Sequence, residues 1–222
     1  MKILRILKSQ LLQVLILAIP FILAGVFWTG FPGRVATHWG LSGRPDSWMG
    51  KEAGLLLLPL VNLGIWALFM CLPWLDPKIR LNVGGYERTL AVLKIWRLAT
   101  TAFLCFLSLL VLAVAGGIPV DMNRAVFNGV LILFLALGNF LGNLRPNYFA
   151  GIRTPWTLDD SEIWRATHRV GGRIMVYGAL LLLPGQLFLN SEQLMKVFLA
   201  YILGFAAWSM GYSYYLFLRK SR

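Results

Sequence analysis

The chain has 222 residues, 58% of them hydrophobic and only 14% charged, with a mean hydropathy of +0.69. A soluble domain of that size needs far more charge to cover its surface, so composition excludes that class and points to an integral membrane protein. The net charge of +12 lies between apolar runs, where loop bias accounts for it better than nucleic acid does, so no direct nucleic-acid partner is expected.

Lys2, Arg5 and Lys8 precede an apolar run from Leu11 to Trp28 that mimics a signal peptide. The run exceeds the usual h-region and no small-x-small cleavage site follows Trp28, so an uncleaved first transmembrane helix is expected. Residues 29–52 hold Gly30, Pro32, Gly33, Gly40, Gly43 and Pro45, which predicts several turns rather than a helix. Further apolar runs are Ala53–Trp74, Trp96–Ala115, Ala125–Leu144, Ile174–Leu189 and Leu194–Leu218. Each is near the roughly 20 residues that cross a 30 Å hydrocarbon core. The expected fold is an all-α integral membrane protein of six transmembrane helices, the fifth being the shortest.

No charged residue is expected deep inside a span. Asn62, Asn128, Asn139, Asn143, Gln186 and Ser209 are the polar residues there, and interhelical hydrogen bonds are their expected use. Asn139 and Asn143, one turn apart, are expected to pin the end of the fourth span to a neighbour. Cys71 and Cys105 read as small core residues. His38 and His168 fall in different loops, so no metal site or Ser-His-Asp arrangement can be assembled from them. No catalytic residue, metal or cofactor is expected.

Between the fourth and fifth spans lies GNFLGNLRPNYFAGIRTPWTLDDSEIWRATHRVGGR, residues 138–173. Pro146 should stop the incoming helix at Arg145. Pro155 holds Thr154 extended, and Thr157 or Asp160 then caps a short amphipathic interfacial helix. Ile163, Ala166, Thr167 and Val170 form its apolar stripe, with Trp164 and His168 on an adjacent face. Arg169 and Arg173 lie near its negative end, and Gly171-Gly172 releases the chain into the next span. Arg153 is expected to bond carbonyls around Asn143 or the carboxylates of Asp159 and Asp160.

Lysine and arginine collect at the N-terminus, in residues 75–95, in residues 145–173 and in the C-terminal tail. The positive-inside rule then puts both termini and loop 145–173 in the cytoplasm and loop 29–52 outside. Trp96, Tyr212, Tyr214 and Tyr215 read as an interfacial belt on the cytoplasmic side.

The pattern GN-x-x-GN-x-RPN-x-x-x-GIRTPWTL, followed by E-x-W-x-x-x-H-x-x-GG, resembles the SdpI family of bacterial membrane immunity proteins. Residues 31–51, FPGRVATHWGLSGRPDSWMGK, are similar to the N-terminal region often found with that family, in His38-Trp39, Gly43, Pro45-Asp46 and Lys51. Ala36 departs from that pattern, standing where Pro is expected before Thr37. The resemblance implies a two-helix N-terminal region, 1–74, and a four-helix region, 75–222, in the cytoplasmic (inner) membrane of a bacterium. It implies a non-enzymatic protein that protects against a secreted membrane-active peptide toxin, with a second task of signalling by capture of a cytoplasmic repressor. Under that reading the toxin-facing loop carries His38, Trp39, Asp46, Trp48 and Lys51. The cytoplasmic motif loop carries Asn143, Arg145, Pro146, Asn147, Gly151, Arg153, Thr154, Pro155, Trp156, Trp164, His168, Gly171 and Gly172. Two other accounts stand beside it. The loop aromatics and arginines serve equally as interfacial anchors, with Arg145 and Arg153 meeting phosphates of the lipid bilayer. A small transporter or exporter of a hydrophobic or peptide substrate is the alternative function, resting on scattered amides and two helices broken by proline.

The charge bias makes one direct prediction. Reporter fusions after Lys51 and after Arg124 should read extracytoplasmic, and fusions at Asp160 and after Arg222 cytoplasmic. An extracytoplasmic signal at Asp160 reverses the assignment of both loops.

Overall fold

The structure is a computed structural model that describes residues 2–82 and 85–221, with side chains described from residue 10 onward. The side chains of Lys2, Arg5 and Lys8, and the whole of Arg222, lie outside what is described. Helix α1 (Lys2–Val26) leads through a 3-10 turn, Trp28–Gly30, into strands β1 (Arg34–Trp39) and β2 (Pro45–Gly50). Helices α2 (Lys51–Leu75), α3 (Pro77–Leu81), α4 (Glu87–Ala115) and α5 (Met122–Leu141) follow. Helix α6 (Pro155–Asp159), α7 (Ser161–Leu182), a 3-10 turn Leu183–Leu187 and α8 (Ser191–Lys220) complete the chain.

Among the described residues, five helices are long and apolar enough to cross a membrane: α2, α4, α5, α8, and α7 extended to Leu187. The stretch of α1 that qualifies by composition, Gln10–Val26, is shorter. This is a mostly helical, multi-pass membrane protein. Leu57, Leu60, Leu181 and Leu203 point out of the bundle, a placement that suits hydrocarbon and not water.

Polar residues stop and start the helices where the apolar runs end. Asp76 caps α3 by accepting from the amides of Lys78 and Ile79, Asp121 caps α5 through Arg124, and Asn190 forms a capping box with Gln193 at α8. Interhelical amide bonds appear as expected at Asn62, which donates to Thr101 O (3.1 Å), and at Asn128, which donates to Gln186 Oε1 (2.9 Å). Ser209 instead bonds Phe205 O in its own helix.

The tightest helix pair is α5 with α7. A Cβ placed on Gly172 would sit 2.5 Å from Gly138 O, and one on Gly138 would sit 2.7 Å from Met175 Cβ. Glycine here allows backbone-to-backbone approach, the usual device where no hydrophobic force drives helices together.

Several expectations are corrected. Residues 29–52 hold an antiparallel hairpin, not turns alone, so the fold is not purely α; Val35 is buried and lies 2.8 Å from the Cβ position of Gly54 on α2. The ladder slips between Ala36 and His38, so the irregular backbone falls where the proline was expected. Gly171-Gly172 does not release the chain: α7 runs unbroken through it, and the expected interfacial helix is the first part of a long helix. Glycine costs helix stability of about 1 kcal/mol per residue, and the contact with α5 outweighs it. Arg169 and Arg173 consequently lie mid-helix. Pro59 also sits inside an unbroken α2, leaving Pro184, in the 3-10 turn, as the helix breaker of the two. Trp96 is buried in the core rather than interfacial, and Cys71 is exposed on the outer side of α2 while Cys105 is buried. Asn139 and Asn143 are both exposed and pin nothing among the described residues.

One change tests the α5–α7 contact. Gly172→Ala should destabilise the fold by about 1–3 kcal/mol through overpacking, read as a lower unfolding midpoint in detergent. Gly25→Ala, whose Cβ would meet nothing within 4 Å, should leave that midpoint unchanged or raised.

Candidate functional site

At one end of the bundle the chain between α5 and α6 is irregular, and buried side chains satisfy its backbone. Asn147 is fully buried and uses all of its capacity: Oδ1 accepts from Phe149 N (3.0 Å) and Ala150 N (2.7 Å), and Nδ2 donates to Arg145 O (3.0 Å) and Ala150 O (3.1 Å). Trp164 Nε1 donates to Leu144 O at 2.8 Å, and its ring stacks on His168 at 3.9 Å. The ring of His168 bridges two elements. Its Nδ1–H donates to Trp164 O (2.8 Å), because a carbonyl only accepts, so Nε2 carries the lone pair that accepts from Ile152 N (2.9 Å). This pattern fixes one neutral tautomer. Gly151, at φ +110°, lies so close that a Cβ would sit 2.3 Å from His168 Nε2; only glycine suits both the conformation and the space.

Thr154, extended as Pro155 requires, is the cap of α6 and donates to Ser213 Oγ (3.0 Å) on α8. Thr157 is therefore not the cap but its reciprocal partner in a capping box, and Asp160 caps α7. Trp156 packs on Tyr214 with centroids 4.9 Å apart. Arg153 bonds neither of its expected partners; its Nη1 donates to Tyr148 O at 2.8 Å from an exposed position. Asn143 is exposed, Pro146 O accepts from Tyr86 Oη (2.8 Å), and the Arg145 guanidinium lies 5.9 Å from the Tyr86 ring centre. Trp164 and His168 were expected on a cytoplasm-facing surface; both are fully buried, because the helix they occupy is packed into the bundle.

Three residues that hold this loop were not singled out in the sequence. Asp76 is fully buried, and its Oδ2 accepts from Tyr148 N at 2.6 Å while Oδ1 caps α3. Its signal was present in Asp76-Pro77, a cap followed by proline at the first helical position. Tyr86 and Thr89 are the others; Thr89 Oγ1 accepts from Arg145 N (2.9 Å). Burial, followed by the nearby Asp76 charge, raises the Tyr86 phenol above its ordinary value, so it stays a donor. The Lys220 hydrogen bond lowers Asp160 below the ordinary carboxylate value, at 2.6 Å, with Lys220 also 2.7 Å from Glu162. A lowered carboxylate adds stability above its unfolded value that is lost as acid titrates the folded group, so this tie of α8 to α7 is intact at neutral pH.

At the opposite end the hairpin brings His38 and Asp46 together, Nδ1 to Oδ1 at 2.5 Å, both well exposed. Trp48 is exposed, whereas Trp39 is half-buried and packs against the cluster of Ala24, Phe31, Val35 and Leu55. Lys51 turns away, donating to Trp28 O at 3.0 Å. Asn123 on α5 donates to Leu41 O (2.7 Å), tying down the turn. Among the described residues no hydrogen bond or ion pair joins the two loops. Among the described residues no group of three or more His, Cys, Asp or Glu is placed to hold a metal ion.

Charge also enters the bundle where none was expected. Arg97 is 5% exposed; it donates to Gln13 Oε1 (2.7 Å), which also accepts from Trp66 (3.0 Å), and it contacts the Met70 sulfur. The apolar run hid it, because α4 begins at Glu87 and not at Trp96.

Residues 143–213, which begin with this loop, match the SdpI/YfhL protein family. Residues 15–63, which include the hairpin, match the domain of unknown function DUF1648. The chain is 22% identical over 169 residues to "Immunity protein SdpI" of Bacillus subtilis (strain 168), covering 76% of this chain and 77% of that protein. No solved structure gives a significant match. The buried loop that Asn147, Trp164 and His168 hold together thus opens the segment that this chain shares with the SdpI/YfhL protein family, and the resemblance to that family extends, through the Bacillus subtilis protein, over most of its length.

Proposed function

We propose that this chain is a membrane immunity protein of the bacterial cytoplasmic membrane, protecting against a secreted membrane-active peptide toxin. The observation that carries this reading is the similarity to Immunity protein SdpI across three quarters of both chains. The hairpin is the surface offered to the toxin: His38, Asp46 and Trp48 are exposed on it, and Trp39 and Lys51 are committed to packing. An exposed tryptophan beside a hydrogen-bonded histidine–aspartate pair suits an amphipathic peptide arriving along the bilayer.

The inner loop divides differently. Asn147, Gly151, Thr154, Trp164 and His168 act as a clamp for the bundle. Capture of a cytoplasmic repressor, the second task, falls to Tyr148, Phe149 and Arg153, which are exposed at the same end. A transporter has less support, since α2 is continuous through Pro59.

Survival of a sensitive bacterium under toxin, with and without the gene, tests the main reading. The chain should raise survival, and Trp48→Ala should cut toxin binding about tenfold or more. Gly151→Ala and Asp76→Asn should each lose about 1–3 kcal/mol of stability, with protection falling in step with membrane abundance. Tyr148→Ala should abolish recruitment of a tagged repressor and leave protection intact. Unchanged survival, or protection that needs energy-dependent efflux, overturns the immunity reading.

A further inference from the structure

Five arginines converge on one side of the bundle at the end that carries the inner loop, and among the described residues none of them meets a carboxylate. Arg88 of α4, Arg145 after α5 and Arg165 of α7 line a concavity of about 440 Å³ together with Gly142 and Pro146. A second concavity, of about 260 Å³, shares Gly142 and is lined by Arg169, Arg173, Asn139 and Tyr177. No Asp or Glu lines either one. Asp160 and Glu162, at the start of α7, are engaged elsewhere, both holding Lys220.

The order of residues along α7 decides what kind of anion fits. Arg165, Arg169, Arg173, Val176 and Leu180 recur at steps of four, four, three and four residues, so at about 100° per residue they fall within about 80° of one another and form one stripe along the helix. The three arginines span about 12 Å at 1.5 Å per residue. Val176, which lines the second concavity, and Leu180, 51% exposed, follow the arginines. Charge and then hydrocarbon along one stripe, with the Tyr177 phenol beside the second concavity, is the polarity profile of a phospholipid: phosphate, interface, acyl chain. A free phosphate has use for the arginines but none for the apolar continuation.

We propose that this groove between α5 and α7 binds an anionic phospholipid. The arginines hold its phosphate by charge-assisted hydrogen bonds, and an acyl chain lies along Val176 and Leu180. Asn139 and Asn143, whose side chains make no hydrogen bond among the described residues, supply further polar atoms at the rim.

The test uses the full chain, delipidated in detergent and exposed to mixed phosphatidylglycerol and phosphatidylcholine, with retained lipid counted by native mass spectrometry. Phosphatidylglycerol should be retained in preference. The pair Arg165→Gln and Arg169→Gln should lower its retention about tenfold or more, whereas Arg80→Gln with Arg219→Gln, an equal charge loss outside the groove, should change it by less than about twofold. Leu180→Asn should weaken lipid retention without altering any competition by inorganic phosphate. Equal loss with the two arginine pairs would mean diffuse surface charge and overturn the site. Competition by inorganic phosphate as effective as by phosphatidylglycerol would make it a soluble-anion site and overturn the lipid assignment. Circular dichroism and elution volume confirm that each variant is folded.

Discussion

An irregular backbone at the end of a membrane bundle must find hydrogen-bond partners without relying on water. The chain between Gly142 and Thr154 meets that demand with side chains drawn from four helical elements. Asn147 supplies both its own amide's donors and acceptors locally. Trp164 and His168 reach up from α7, Thr89 from α4, and Asp76 from the junction of α2 and α3. Each bond fixes the loop and, in the same act, fixes the helix that sends it. The packing of α5 on α7 through Gly138 and Gly172 follows from this, because Trp164 and His168 reach their partners only if α7 lies close.

The long helices were legible because apolar runs near membrane length leave few alternatives. Their boundaries were less so. Residues 161–173 carry enough charge to resemble a surface helix, and the glycine pair resembles an exit; the contact with Gly138 that gives those glycines their use is distant in sequence. The hairpin was hidden for a related reason, since its six glycine and proline signals mark turns but say nothing about the ladder between them. In the motif loop the residue types were visible and their orientation was not. A tryptophan and a histidine four residues apart share a face, but which face is decided by what packs there. Asp76 and Thr89 were invisible as loop residues because their partners, Tyr148 and Arg145, lie more than fifty positions away.

Arg97 shows a second way of keeping charge in a bundle. It has no carboxylate; instead the amide oxygen of Gln13 accepts from it, and the Trp66 ring lies 5.9 Å from its guanidinium. Arginine tolerates this because its charge is delocalised and weakly hydrated. The arrangement joins α1, α2 and α4 near the same end as the inner loop. Helix α4 packs on α1 and α2 on one side and on α5 on the other, so it links the hairpin-bearing part of the chain to the part that carries the motif loop.

The hairpin and the motif loop lie at opposite ends of the bundle, yet one continuous helical rod connects them. Strand β2 ends at Gly50 and α2 begins at Lys51, without an intervening linker, and α2 runs unbroken to Leu75, beside Asp76. At 1.5 Å per residue that rod is about 37 Å long. A tilt of five degrees about its outer end would sweep the inner end through about 3 Å at that length, more than the 2.6 Å that separates Asp76 from the Tyr148 amide. Mechanically, the molecule holds a pointer whose short arm is the hairpin and whose tip grips the motif loop.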